Sequence, residues 1–353
     1  MSNEMFILLL AVLATPLLCW AYRVLPGEKW QIIAAIPAIK EECTAGIWQG
    51  SNITFYGLLL ASGGLVGAVT YCFLLAAAGM PFPAVLLLTG VIMAAALLAA
   101  KLIARLVERK KNTLTVAGGA TAGLYLMPVA VWAANHLLPD LTRAMPLMPV
   151  MAALAAGYII GEGVGRLACI SFGCCYGKPL TDINGFGRRI FSRFACVYEG
   201  ETKKIAYASG LTGVKVVPIQ AVTSFLYVHI GLAGIYLFLE GHFAFCFALT
   251  AIFALVWRVF SERFRADYRG EGRVSPYQIM ALVNVLFCLG LLLTASSFQP
   301  AIPYVDLRAG LRALWDPAAL VFFQLLWLAL FLYTGFSRVT GSIISFHVRK
   351  ECI

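Results

Sequence analysis

Apolar positions along the chain gather into runs of about twenty residues separated by short polar connections. The runs lie near 4–22, 54–78, 81–104, 114–135, 147–172, 218–239, 242–260, 275–297 and 317–336. Each is about long enough to cross roughly 30 Å of hydrocarbon as a helix. The pattern predicts an all-α, polytopic membrane helix bundle of about nine transmembrane helices. The first run, MFILLLAVLATPLLCWAY, has no basic leader and no small-residue cleavage site after it, so it is expected to be a retained helix rather than a signal peptide. The polar stretch 176–217 is too short for a domain. Its glycines, mixed charges and aromatic residues predict a small cap over the mouth of the fifth run, suited to a lid or a docking surface.

Composition agrees with residence in lipid: 61% of the 353 residues are hydrophobic and 12% are charged, against about 25% charged in soluble domains. The 27 Lys and Arg residues are distributed unevenly. Segments 23–53, 101–111, 173–217, 258–273 and 337–353 all fall on one face and hold 23 of them, whereas the opposite face has Arg143, Arg308 and Arg312. The positive-inside rule then puts the amino terminus outside and the carboxyl terminus in the cytoplasm. A basic face also attracts anionic headgroups. Nothing points to a nucleic-acid partner or a cofactor.

The ten cysteines are mostly single. Cys19, Cys43, Cys72, Cys246, Cys288 and Cys352 are expected to be small apolar fillers. Cys169, Cys174 and Cys175 differ because they cluster at the basic end of the fifth run. Their C-x4-C-C spacing lacks the paired C-x2-C halves of structural zinc sites, so no metal is expected from spacing. A covalent thiolate and plain packing remain open as roles.

The fifth run ends GYIIGEGVGRLACISFG, with Gly157, Gly161 and Gly165 four apart, a spacing that lets another helix approach closely. Gly63/Gly67 and Gly119/Gly123 repeat it. Glu162 and Arg166 are also four apart, in the favourable order for an ion pair, and intramembrane charges mark functional sites by default. Arg258 and Glu262 repeat that pair at the end of the seventh run, with Arg263, Arg265, Asp267 and Arg269 following. Arg166, Arg258 and Arg265 share the basic face, where forked guanidinium donors suit a lipid phosphate. Gln220 and Gln278 begin the sixth and eighth runs after prolines; they are candidate neutral donors or helix caps.

These residues, in this order, resemble the prolipoprotein diacylglyceryl transferase family, whose members move a diacylglyceryl group from phosphatidylglycerol to a lipoprotein cysteine. FYGLLLASG is similar to the family's opening Tyr-Gly segment and VAGGATAG to its His-Gly-Gly motif. GRLACISFGCCYG resembles its Gly-Arg-Leu-Gly-Asn signature with the closing Gly-Glu and Gly. VPIQ, WRVFSE and SPYQ resemble three later motifs. The resemblance implies a diacylglyceryl-transferase-like core over 54–298, with 1–53 and 299–353 as an added helix at each end. It implies that Arg166, Arg258, Glu262, Tyr56, Gly118, Gly119 and Gly177 bind the phosphoglycerol headgroup and support its displacement.

Departures from the family are equally specific. Ala117 and Val217 stand where the family has histidines, Cys169 and Phe172 where it has asparagines, and Cys174 where it has a glutamate; Val222 and Thr223 replace a tyrosine and a glutamate. The expectation is a transferase of a bacterial inner membrane that takes its diacylglyceryl group from an anionic phospholipid and releases glycerol phosphate. The acceptor is unknown. Glu262, Glu162 and Cys174 are the candidate bases, and Cys169, Gln220, Arg265 and Gln278 join the candidate headgroup contacts. A lipid binder that has lost catalysis is the alternative. None of the histidines is expected at the site: His136 and His242 fall on the opposite face, His229 is mid-helix and His347 is in the tail.

Overall fold

The computed structural model describes residues 2–44, 46–108, 115–267, 274–295 and 304–353. Among them, nine helices are long and apolar enough to span a membrane: α1 (Asn3–Val24), α2 (Phe55–Ala77), α3 (Phe82–Glu108), α4 (Val116–Leu137), α5 (Leu147–Phe172), α6 (Ile219–Leu239), α7 (Phe243–Phe264), α8 (Pro276–Ala295) and α9 (Pro317–Thr334). The bundle matches the expected architecture and span count. Arg269 lies outside the described residues.

Helix α5 is the hub. Of its most apolar window 72% is buried, against 17% in α1 and in α9, so side chains on α5 meet protein rather than lipid. This explains how the helix tolerates a glutamate and an arginine. It is held to α2 by interleaved glycines. A Cβ on Gly63 would stand 2.7 Å from the Gly165 nitrogen, and one on Gly67 2.8 Å from the Gly157 oxygen. The spacing of these glycines is therefore a packing device, as small residues are between membrane helices. The repeat in α4 behaves differently: a Cβ on Gly119 would stand 3.2 Å from the Ala96 oxygen, whereas a Cβ on Gly123 would meet nothing within 4 Å. Gly123 opens onto a cavity, so for that pair the expected close approach holds only at Gly119.

A small antiparallel sheet, absent from the reading of the sequence, closes the basic pole: β1 (Ile32–Thr44), β2 (Ile47–Thr54) and β3 (Phe336–Ser345), in the order β1-β2-β3. It joins the segment after α1 to the segment after α9. Thr54 ties the sheet to the bundle: its backbone N–H and its hydroxyl both donate to the Gly335 oxygen at 2.9 Å, and its hydroxyl caps α2 at the Gly57 N–H. Gly57 crosses against the Gly335 backbone, where no side chain fits.

The expected cap follows α5 and contains the short helices Gly185–Phe191 and Lys204–Ser209. Leu180, Val217 and Ile219 form its small core, with Phe191 and Phe264 packed on it. Backbone pairing at Gly177 and Arg265 binds it to the end of α7, where Lys178 donates to the Phe264 oxygen at 2.8 Å. A Cβ on Gly177 would collide with the Val217 backbone. Glycine at 177 is thus required by this crossing.

Cys72, Cys246 and Cys288 are buried singly, as expected of apolar fillers; Cys19 and Cys352 are exposed and do not pack in a core. Cys19 lies on lipid-facing α1 and Cys352 in the polar tail, so neither has a core to fill. The side chain of Cys43 lies outside the described residues.

Candidate functional site

Arg166 and Arg258 each lie six residues before the end of their span, hence at one depth, about 9 Å in by helical rise. They converge on a single carboxylate. Glu162 accepts from Arg166 Nη2 within α5, as its spacing predicts. It also accepts from Arg258 Nη2, at 2.8 Å on Oε1 and 3.0 Å on Oε2. Tyr158, one turn earlier on α5, donates its hydroxyl to Glu162 and accepts from Arg258 at 3.0 Å. Two cations share one anion, which leaves the group one positive charge in excess in a place shielded from water.

The pair expected within α7 does not form. Arg258 bonds to Glu162, and Glu262 instead lies 3.6 Å from Arg265. Two features separate the pair: Arg258 is held across the helices by Glu162, and α7 tightens into a 3-10 turn at Glu262–Phe264, which takes Glu262 out of the α-helical register an i, i+4 pair needs. Arg265 is clamped by Asp267 in two-point contact, at 2.9 Å from Nε and 3.0 Å from Nη2. Burial alone would lower its pKa, but Cys175, Asp267 and Glu262 raise it. Burial holds Asp267 up at about 6 despite that contact.

Arg166 opens onto a cavity of about 330 Å³. Its polar end carries Tyr56, Tyr158, Glu162, Arg166 and Cys169. The remainder is apolar apart from Tyr71, Thr89, Thr115, Asn284 and Thr334; it is walled by α2–α5 and α7–α9 and includes the small side of α4 at Gly119 and Gly123. Arg166 Nε is buried and has no hydrogen-bond partner among the described residues, whereas its Nη2 is held by Glu162. Arg258 does not line the cavity; it acts on it through Glu162.

The other candidates separate by position. Tyr56 lines the cavity with its ring edge-on to Phe172, centroids 5.6 Å apart. Gly118 packs on Ile103 of α3 and is a packing position. Gln220 donates to the Cys174 oxygen at 2.9 Å, and its own buried Oε1 has no partner among the described residues. Gln278 pairs with Ser275 at the start of α8 and donates to the Val259 oxygen at 3.1 Å, so helix capping accounts for it. Thr223 is engaged by the Trp257 indole at 3.0 Å. His229 is paired with Thr15 of α1 at 3.0 Å, away from the site.

The sulfurs of Cys169, Cys174 and Cys175 lie within 4.8 Å of one another. Hydrogen bonding with Cys169 and Cys175, together with burial, pushes Cys174 well above the usual thiol range. Cys175 is held well below it by hydrogen bonds with Cys169 and Cys174 and by Arg265 and Arg166, against the cost of burial. A thiol held that high makes Cys174 a poor base. Tyr158 joins this cluster although the sequence analysis does not single it out; its place four residues before Glu162 is the available signal.

Comparison with family models matches residues 45–294 to prolipoprotein diacylglyceryl transferase. The chain belongs to the prolipoprotein diacylglyceryl transferase family. It is thereby a member of a family of membrane transferases. A comparison with curated proteins found no match.

Proposed function

We propose that the protein transfers a diacylglyceryl group from an anionic glycerophospholipid of the phosphatidylglycerol type, with the phosphate at Arg166 and the acyl chains in the apolar cavity. The observation that carries this reading is the buried Arg166 lining the polar end of a predominantly apolar cavity. In the reaction a nucleophile bonds to the diacylglyceryl carbon as the bond from that carbon to the phosphate ester oxygen breaks, and glycerol phosphate leaves with the electron pair. Preorganised guanidinium groups at low dielectric stabilise the charge gathering on that leaving group. Arg166 contacts it, Arg258 adds charge through the shared carboxylate, and Glu162 and Tyr158 position both. The proton of the nucleophile passes to a base outside this set, because Glu162 is committed to two arginines.

The basic pole, holding the sheet, the cap and this end of the cavity, faces the cytoplasm of an inner-membrane protein in this reading. The added helices α1 and α9 flank a core over 54–298. A cytoplasmic site does not meet exported prolipoproteins, so the acceptor is of another kind. One observation favours a second reading, lipid binding without turnover: Ala117, Val217 and Thr223 occupy the family's polar positions, and Thr223 is engaged by Trp257.

The test is to incubate purified protein with headgroup-labelled phosphatidylglycerol, with and without cell extract. Release of glycerol phosphate that disappears in Arg166→Ala supports transfer. Bound lipid without release supports the second reading, and neither binding nor release overturns both. Orientation is read separately, by labelling Thr181→Cys in the cap with a membrane-impermeant maleimide. Reaction only after permeabilisation is expected.

A further inference from the structure

We propose that Cys169, Cys174 and Cys175 form a binding site for one thiophilic d10 cation of the Zn2+ type. The proposal stands on the cysteine geometry and does not depend on the transfer reaction.

Three sulfurs within 4.8 Å of one another are close to what a single ion needs. Zn–S bonds of about 2.3 Å in tetrahedral geometry separate the sulfurs by about 3.8 Å, so rotamer adjustments of about 1 Å complete the site. Sequence spacing gives no hint of this, because the convergence is made by the backbone. Gly173 ends α5 in the left-handed region at φ 69°, and Cys175 adopts φ 58°. These two residues reverse the chain on either side of Cys174 and return both cysteines to the last turn of the helix, beside Cys169. A left-handed residue bearing a β-carbon costs on the order of 1 kcal/mol and persists where the surroundings impose it. The surroundings here do so: the Cys174 N–H donates to the Cys169 oxygen at 3.0 Å, its carbonyl accepts from Gln220 at 2.9 Å, and the carbonyl of Tyr176, just past Cys175, accepts from the Ala266 N–H at 3.1 Å. The loop is fixed from three sides before any ion arrives, which is the support that metal ligands require.

Charge is also compatible. Three thiolates around a divalent ion leave one negative charge, and Arg166 and Arg265 face Cys175. The buried cysteines elsewhere show what packing alone looks like. Cys72 lies 3.3 Å from the Thr89 hydroxyl and Cys246 points at the Ala152 oxygen, each as a single thiol inside the bundle. Three protein ligands leave a fourth coordination position, the pattern of catalytic rather than structural zinc, and Cys169 is the member of the trio that lines the cavity.

The experiment uses the full chain in detergent, stripped with chelator, desalted and reloaded with Zn2+ or Co2+ alone. The expected results are one equivalent of zinc per chain that survives desalting, and a cobalt form with thiolate-to-metal charge-transfer bands and tetrahedral d–d bands. Cys169→Ser, Cys174→Ser and Cys175→Ser should each weaken binding by about tenfold or more, while Cys246→Ser leaves it unchanged. A cobalt spectrum of the unaltered chain without thiolate bands overturns the proposal, whether or not the variants fold. So does a triple serine variant that retains the ion.

Discussion

Arg258 reaches from α7 to donate to Glu162 of α5 at 2.8 Å, across 96 residues of sequence. That bond turns a local helix pair into a bridge between two helices and fixes the depth and direction of both guanidinium groups. With one partner removed, the remaining buried charges lose their compensation, at a cost of about 3–5 kcal/mol. Glu162→Gln should therefore be the most destabilising single change at the site, read as a lowered thermal midpoint in detergent. Tyr158→Phe removes the hydrogen bond to the carboxylate and the one accepted from Arg258, bonds to charged groups worth about 1.5–3 kcal/mol each. It should reduce turnover roughly 10- to 100-fold while the protein stays folded.

Two glycine substitutions should have opposite consequences. Gly63→Ala inserts a methyl group 2.7 Å from the Gly165 backbone; α2 and α5 must separate, and stability should fall by about 1–3 kcal/mol. Gly123→Leu projects into open space. It should leave the thermal midpoint close to that of the parent and reduce phospholipid binding, measured by native mass spectrometry.

Lys203 gives the cap a pH signature. It is fully enclosed, donating to the Ser171 oxygen at 2.6 Å and the Leu25 oxygen at 3.3 Å, and burial lowers its pKa to about 8. The unfolded chain binds the extra proton between about 8 and the ordinary lysine value of 10.5, so this group makes stability rise with pH across that window. The thermal midpoint of the parent minus that of Lys203→Met should increase from pH 8 to 10.5 and stay flat below it. A difference that does not change across the window contradicts the assignment.

The spans were legible because hydrocarbon thickness sets a length that the apolar runs obey, and every boundary falls within four residues of the helix observed. The Glu162–Arg166 pair was legible from its spacing of four, as was the glycine seam between α2 and α5. What escaped depends on distant partners or on local changes of backbone. Arg258 finds its partner on another helix, 96 residues away in sequence, and the 3-10 turn at Glu262–Phe264 is not visible in apolar periodicity. The sheet depends on β2 meeting β3 about 290 residues later, as in the Ser51–Gly341 register, and its strands read only as polar connections. The cysteine cluster depends on two left-handed residues that the spacing does not disclose.

The central claim is that the apolar cavity with Arg166 at its polar end holds a phospholipid by its phosphate. The most direct measurement is a cryo-electron microscopy map of the protein in nanodiscs of phosphatidylglycerol. Phosphate density is expected within hydrogen-bond distance of the Arg166 guanidinium, about 3 Å, with an acyl chain along the α4 face at Gly119 and Gly123. Lipid density confined to the outer surface of the bundle, with the cavity empty of it, would contradict the claim.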